Sequence, residues 1–362
     1  MKILSLRTAG FLGLPDGSYE LGTGDEPAGL VVVTGAGPCG KTSLLEAIVA
    51  AKELVGPYGR LPAAAGLVRR GAARATLVAR WVLDDAERAV YAGLVDRAEE
   101  ASRRAREIEA DASGSPVAEA KPEPPPRVVE TEVVIDADAG TVERPRRLEP
   151  VFSRYDRAPT SGKAEYFPAD RRMRPTLWRE PGPTSRERDE AAPRLGRDLG
   201  KYGFVGRFLR DLAAASAERL QGTLVAAGVV TRGEEADELA PFKQALAPLA
   251  KDLRLLRVEL SGALGADVVF VRRDRREVEL GALSDSEADA VLFAATFVRQ
   301  GLEGSLVLVD RPELYQDPKH AGAFVRGLAG LGHNQLVVAT STPEHCDGIE
   351  GALRLDLEAR RG

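Results

Sequence analysis

Along the chain, apolar positions change period in a regular order. "GLVVVTG" (29–35) is a short apolar run closed by glycine, which predicts a buried strand. In "KTSLLEAIVAAKEL" (41–54), Leu44, Leu45, Ile48 and Val49 recur at helical spacing. "ARATLVARWVLDD" (73–85) alternates like a strand, and "RVVETEVVIDADAGTVER" (127–144) reads as a hairpin turning at "DADAG". Between them a charged helix is expected at 94–112. The apolar-poor, Pro- and Glu-rich "SGSPVAEAKPEPPP" (113–126) follows and predicts a disordered linker. A strand is expected at 164–170, helices at 203–220 and 240–256, and paired strands within 266–280. The tail then runs helix, strand, helix, strand at 285–299, 305–309, 318–331 and 335–340, which implies a parallel sheet.

Composition narrows this picture. With 362 residues there is room for about two domains, and 44% hydrophobic against 29% charged residues is a globular balance. The net charge of −5 argues against a wholesale binder of nucleic acid or membrane surface. "MKILSLRTAG" lacks the apolar core of a signal peptide, and no apolar run approaches the ~18 residues of a membrane span. Cys39 and Cys346 make no disulfide framework. The expectation is a soluble, cytoplasmic protein without a membrane partner. Charge is uneven, however: residues 144–210 hold 17 Lys/Arg against 9 Asp/Glu, a net of +8. One reading is a local face for DNA, with Arg171 and Arg172 among its contacts; the plainer one is a solvated Arg-rich surface.

The chemistry concentrates in "GAGPCGKT", Gly35 to Thr42, which matches GxxxxGK[ST] between an expected strand and helix. Glycines let backbone N–H groups fold around phosphates, and the helix N-terminus adds positive potential. Gly35, Gly37, Gly40, Lys41, Thr42 and Ser43 are the candidate phosphate-binding residues, with Lys41 for the β- and γ-phosphates and Thr42 for Mg²⁺. Cys39, inside the loop, reads as a small space-filling residue. Such a loop needs an acidic partner at a strand end to hold the metal. Asp310, closing "SLVLVD", is the candidate. Upstream, "LGALSDSEADAVLFAATFV" (280–298) carries an S-x-x-E capping box, Ser284 to Glu287. It opens a helix with Ala288, Val291, Leu292, Ala295 and Val298 inward.

The order "GAGPCGKTSLLEAI", "LSDSE", "LVLVDRPEL", "VVATSTPEH" resembles the ABC-type ATPases. It is most similar to the RecF, SMC and overcoming-lysogenization-defect-like branch, often labelled AAA ATP-binding proteins. "AEYFPADR" looks like that branch's core strand and arginine. The resemblance covers roughly residues 1–92, 164–175 and 255–362. It implies an α/β fold: a P-loop NTPase core with an antiparallel β lobe, a helical lobe and, here, a partly disordered insertion. The implied division is an N-terminal half with the phosphate loop (1–92), a charged helix and Pro-rich linker (93–126), and a hairpin plus basic segment (127–200). A helical lobe (201–256) and a C-terminal half with the signature helix and acidic strand (257–362) complete it. It also implies ATP and Mg²⁺ as ligands, and a head-to-tail homodimer in which Ser284 and Ser286 of one copy face the ATP of the other.

Departures from that family are selective. Ser286 stands where the signature has glycine, Arg311 where a glutamate base follows the aspartate, and Ser341 where the switch histidine sits. No Q-loop glutamine is available, since Gln221 is the first glutamine in the chain. Lys41, Thr42 and Asp310, which would hold MgATP, remain. A positioned base contributes about 10²–10⁴-fold to such reactions, and arginine cannot accept a proton. It can pair with a phosphate oxygen. Glu313 is a possible substitute base, more simply a structural residue, and His345 a weaker substitute for the switch. The leading expectation is an ATP-binding protein with slow or absent hydrolysis, acting as a nucleotide-dependent dimer or scaffold for a protein partner. The alternative is an active ATPase of DNA repair or anti-phage defence, working on DNA with a partner nuclease. A transporter subunit fits less well because of the long insertion and missing glutamine, and a small-molecule kinase would leave the signature helix without a purpose.

Overall fold

The computed structural model describes residues 1–58, 64–94, 126–153, 163–173, 201–227, 237–261 and 265–358. The charged helix and linker expected across 94–126 lie almost wholly outside them, as do 154–162 and 174–200 of the basic stretch. The strands, in chain order, are β1 Lys2–Ala9, β2 Gly17–Glu20, β3 Gly22–Thr23, β4 Glu26–Pro27, β5 Leu30–Thr34, β6 Arg74–Val82, β7 Val128–Asp136 and β8 Val142–Glu143. They continue with β9 Ala164–Phe167, β10 Leu253–Ser261, β11 Gly265–Arg272, β12 Glu277–Glu279, β13 Leu306–Asp310, β14 Gln335–Ala339 and β15 Ala352–Asp356. The principal helices are α1 Lys41–Glu53, α2 Val205–Ala227, α3 Ala240–Leu246, α4 Asp285–Gln300 and α5 Pro318–Ala329.

The central sheet is parallel, in the order β15-β5-β14-β13-β9. Its three inner strands β5, β14 and β13 are buried almost along their whole length, as a sheet covered on both sides requires. Alternation then sorts their side chains between two cores. Val31, Val33, Leu306, Leu308, Val337 and Ala339 join the core containing α1 and the antiparallel sheet β2-β1-β6-β7-β8. Leu30, Val32, Val307, Val309, Leu336 and Val338 join the opposite core, with α2 to α5 and the sheet β10-β11-β12. The hairpin expected at 127–144 is present as β7 and β8, and it extends the N-terminal antiparallel sheet.

Gln335 fastens the two sheets of the first core together. Its buried amide accepts from Ile3 N at 2.7 Å and donates to Ile3 O at 2.8 Å and Leu21 O at 3.1 Å. A buried amide with these partners avoids the ~1–3 kcal/mol penalty of an unmet polar group.

Two expectations need correction. The helix expected over 240–256 ends at Leu246, and β10 begins at Leu253. Ala247, before Pro248, keeps helical backbone, and the last turn closes through Ala250 N to Leu246 O; Leu253 and Leu255 then alternate with Arg254 and Leu256 across the strand, buried against exposed. β10 therefore runs across the expected 256/257 boundary. Helix α4 is buried from Asp289 to Phe297 on every side, rather than along one stripe. Ala288 and Val298, expected inward, are only half-buried. Phe293 explains the depth, stacking on Phe167 of β9 at 4.1 Å between centroids and meeting Phe324 of α5 edge-on at 5.4 Å.

Candidate functional site

The chain leaves β5 at Thr34, turns through residues 35–40 and enters α1. Gly35, Gly37 and Gly40 have φ of 142°, 55° and 100°. At Gly35 a Cβ would lie 2.5 Å from Cys39 Sγ, so both backbone and space demand glycine there. Cys39 is fully buried beneath the loop, the space-filling place expected of it. Lys41 Nζ reaches back to Gly35 O at 2.5 Å and Gly37 O at 3.3 Å, which holds the ammonium across the loop. The start of α1 has no side-chain cap and no acidic residue in its first turn. Its leading N–H groups and dipole are thus disposed toward an anion. Ser43 lies half-buried in that turn.

The acidic partner arrives from β13. Thr42 Oγ1 donates to Asp310 Oδ2 at 2.9 Å, with Asp310 buried at the strand's carboxyl end. β14 runs between β5 and β13, so the residues after it enter the same edge between loop and aspartate. Ligands of open parallel sheets gather at that edge. Ser341, exposed just beyond β14, is held by its backbone, whose N–H donates to Glu313 Oε1 at 3.1 Å. Glu313 Oε2 is buried and has no hydrogen-bond partner among the described residues. The Glu313 side chain also faces Cys346, whose thiol is pushed up to about 11, first by burial and then by that carboxylate. His345 lies half-buried in the turn Pro343–Cys346, its N–H donating to Thr342 O.

Arg311 has left-handed backbone, φ 49°, which costs a non-glycine residue roughly 1–2 kcal/mol. Its N–H continues the ladder to Ala339 O at 2.8 Å. Its side chain is exposed and has no ion-pair partner among the described residues. Behind it lies Arg171, buried in a bidentate pair with Asp289 of α4, at 2.7 and 3.0 Å. Removing one partner of such a pair costs about 3–5 kcal/mol.

The start of α4 carries the expected capping box. Ser284 Oγ accepts from Glu287 N at 3.4 Å, and Glu287 Oε2 accepts from Ser284 N at 2.8 Å. Arg272 of β11 grips Glu287 through two 2.7 Å bonds and holds its carboxyl down at about 2. Ser286 Oγ is 3.3 Å from Ser284 Oγ. Among the described residues, no hydrogen bond joins Ser284 or Ser286 to loop 35–43.

The basic stretch is less of a face than its composition suggests. Arg171 is inside the molecule and cannot meet a DNA phosphate, a correction to its expected role. Lys163 is buried, its Nζ donating to Gly301 O. Arg144 Nη1 binds the carbonyls of Leu54 and Val55 at the end of α1, and Lys201 pairs with buried Glu165. Arg146, Arg147 and Arg172 are exposed. Local sequence gave no sign of these internal roles, because each partner is distant along the chain.

Strand, glycine loop, helix and acidic strand end on one parallel-sheet edge make this a mixed α/β protein with a P-loop core. No family model matches the chain, and no curated protein matches it. Among solved structures it is similar to an Smc head bound to the C-winged helix domain of ScpA, at 14% identity and TM-score 0.47, over 94% of this chain and 90% of that one. An SMC head domain from Thermotoga maritima is 13% identical with TM-score 0.45, over 96% and 93%. An Smc head with coiled coil and joint from Pyrococcus yayanosii is 12% identical with TM-score 0.46, over 94% and 92%. Among the described residues, no helix is long and apolar enough to cross a membrane.

Proposed function

We propose that the chain binds a magnesium nucleoside triphosphate, ATP in the first instance, hydrolyses it slowly or not at all, and uses it to hold a closed homodimer or scaffold for a protein partner. The 2.9 Å contact between Thr42 and Asp310 carries the reading, because it sets two hard oxygen ligands side by side beside an open helix N-terminus. That pair suits Mg²⁺, which when bound neutralises phosphate charge. Lys41 and the first N–H groups of α1 bind phosphate oxygens. Arg311, permanently protonated, adds a second cation beside Asp310 and supplies no proton acceptor. Glu313 is engaged with Ser341 N, which favours its structural role over that of a base. Ser284 and Ser286, exposed or half-exposed at the start of α4, complete the site of a second copy.

The test pairs a binding assay, a phosphate-release assay and a mass measurement by light scattering, each with and without MgATP. Tight, Lys41-dependent binding with a monomer-to-dimer shift and little phosphate release is expected. Robust turnover abolished by Lys41→Ala would overturn the claim of slow hydrolysis, and absence of MgATP binding would remove the reading altogether.

A further inference from the structure

Arg171 uses all five N–H groups of its guanidinium. Nε and Nη2 bind Asp289 at 2.7 and 3.0 Å, and Nη1 binds Pro168 O at 3.2 Å. The remaining two N–H groups go to successive carbonyls, Asp310 O at 2.8 Å and Arg311 O at 3.3 Å. Its plane lies near Phe293 of α4 on one side and Tyr315 on another, 5.1 and 5.4 Å from the ring centroids. In an extended strand successive carbonyls point to opposite sides. Here both reach one cation, which the left-handed φ of 49° at Arg311 permits.

Strain at a bulky residue persists only where its surroundings over-determine it. Arg171 supplies that determination. It is anchored to α4 through Asp289, and it grips the two peptide groups that set where the Arg311 side chain leaves the backbone. Ser284 caps the same helix and Ser286 lies in its first turn, about a turn and a half and under one turn before Asp289.

We infer that Arg171 is a positioning residue: it fixes the left-handed turn at Arg311 and makes the placement of that cation depend on α4. A shift of α4, such as closure of a second copy against Ser284, is then felt at the residue after Asp310. Coupling of this kind is energetic and reciprocal, so a ligand that engages Arg311 also restrains α4. The ligand side of this inference rests on the nucleotide reading above; the backbone side does not.

The experiment has two arms, run on the full chain with Arg171→Lys, Arg311→Gly, Arg311→Ala and the corresponding double variants. In the first, without nucleotide, thermal unfolding reads the strain at residue 311. Arg311→Gly raises Tm by a few degrees in the parent, because glycine accepts positive φ freely. In the Arg171→Lys background that gain disappears or reverses, since the turn is no longer imposed. Equal gains in both backgrounds would overturn the inference. Should Arg171→Lys fail to fold, Asp289→Asn, which keeps shape and one acceptor, takes its place in the same cycle.

In the second arm, affinities for MgATP and MgADP are compared. Arg311→Ala and Arg171→Lys each reduce the preference for ATP by about tenfold, the size of one charge-assisted contact. The double variant falls no further, because both act through one cation. Independent, multiplying losses would show that Arg171 does not act through Arg311. A parent that binds no nucleotide removes the proposed function and leaves the first arm to decide the positioning role.

Discussion

The hydroxyl of Thr42 donates to the carboxylate of Asp310 across 2.9 Å, although 268 positions separate them in the chain. The contact closes a site whose two halves come from the first and last parts of the sequence. It predicts that Thr42→Ala and Asp310→Asn each weaken MgATP binding tenfold or more, while binding of ATP in EDTA changes little. Calorimetry with and without Mg²⁺ separates the two effects; equal losses in both conditions would show that the pair does not hold the metal.

On the function proposed above, a carboxylate at position 311 supplies a proton acceptor beside Asp310. Arg311→Glu, alone or with Ser341→His, is expected to raise phosphate release about tenfold or more, within the usual contribution of a general base. Unchanged turnover in both variants, with MgATP binding intact, would place the block elsewhere, for example at Ser286.

Arg272 lowers the Glu287 carboxyl to about 2, through its hydrogen bonds first. A depressed carboxyl contributes stability above its unfolded value near 4.5, and loses it as pH falls toward 2. The carboxyl is partly solvated, which limits the size of the effect. Arg272→Ala is therefore expected to lower Tm at pH 7, with the difference shrinking as pH falls below about 4.5 and closing only near pH 2. A constant Tm difference across that range would contradict the assignment.

Lys52 is buried, bonded to Glu53 Oε1 at 2.7 Å and Gly56 O at 2.9 Å, and burial lowers its ammonium to about 7. Between about 7 and the unfolded value of 10.5 the unfolded chain binds the extra proton, so stability from this group rises with pH. The slope approaches ~1.4 kcal/mol per pH unit at most. Urea unfolding between pH 7 and 9 should show the parent gaining on the double variant Lys52→Met/Glu53→Gln. Parallel curves would mean that Lys52 keeps its proton in the fold.

Several elements were legible because their signals are local. The loop 35–42 carries its own glycines, and strand β13 and helix α4 announce themselves by period and by the Ser284–Glu287 capping box. The strand β10 was hidden in a stretch that also reads as helix, and only pairing with β11 selected the extended form. Strand β1 is fixed by its ladder with β6, which joins segments some 70 residues apart.

By itself, the sequence determined where a glycine-rich loop joins a strand to a helix, which strand end carries an acid, and that an arginine follows it. These follow from residue type and spacing over a few residues, where backbone freedom, helix capping and proton affinity are decided. Only the tertiary structure decided that Asp310 meets Thr42, that Arg171 faces inward to Asp289 rather than outward to an anion, and that Arg311 is held in a left-handed turn. Each of those depends on desolvation and hydrogen bonding between groups that only the packed sheet and α4 bring together, and no local pattern encodes the distance across a core.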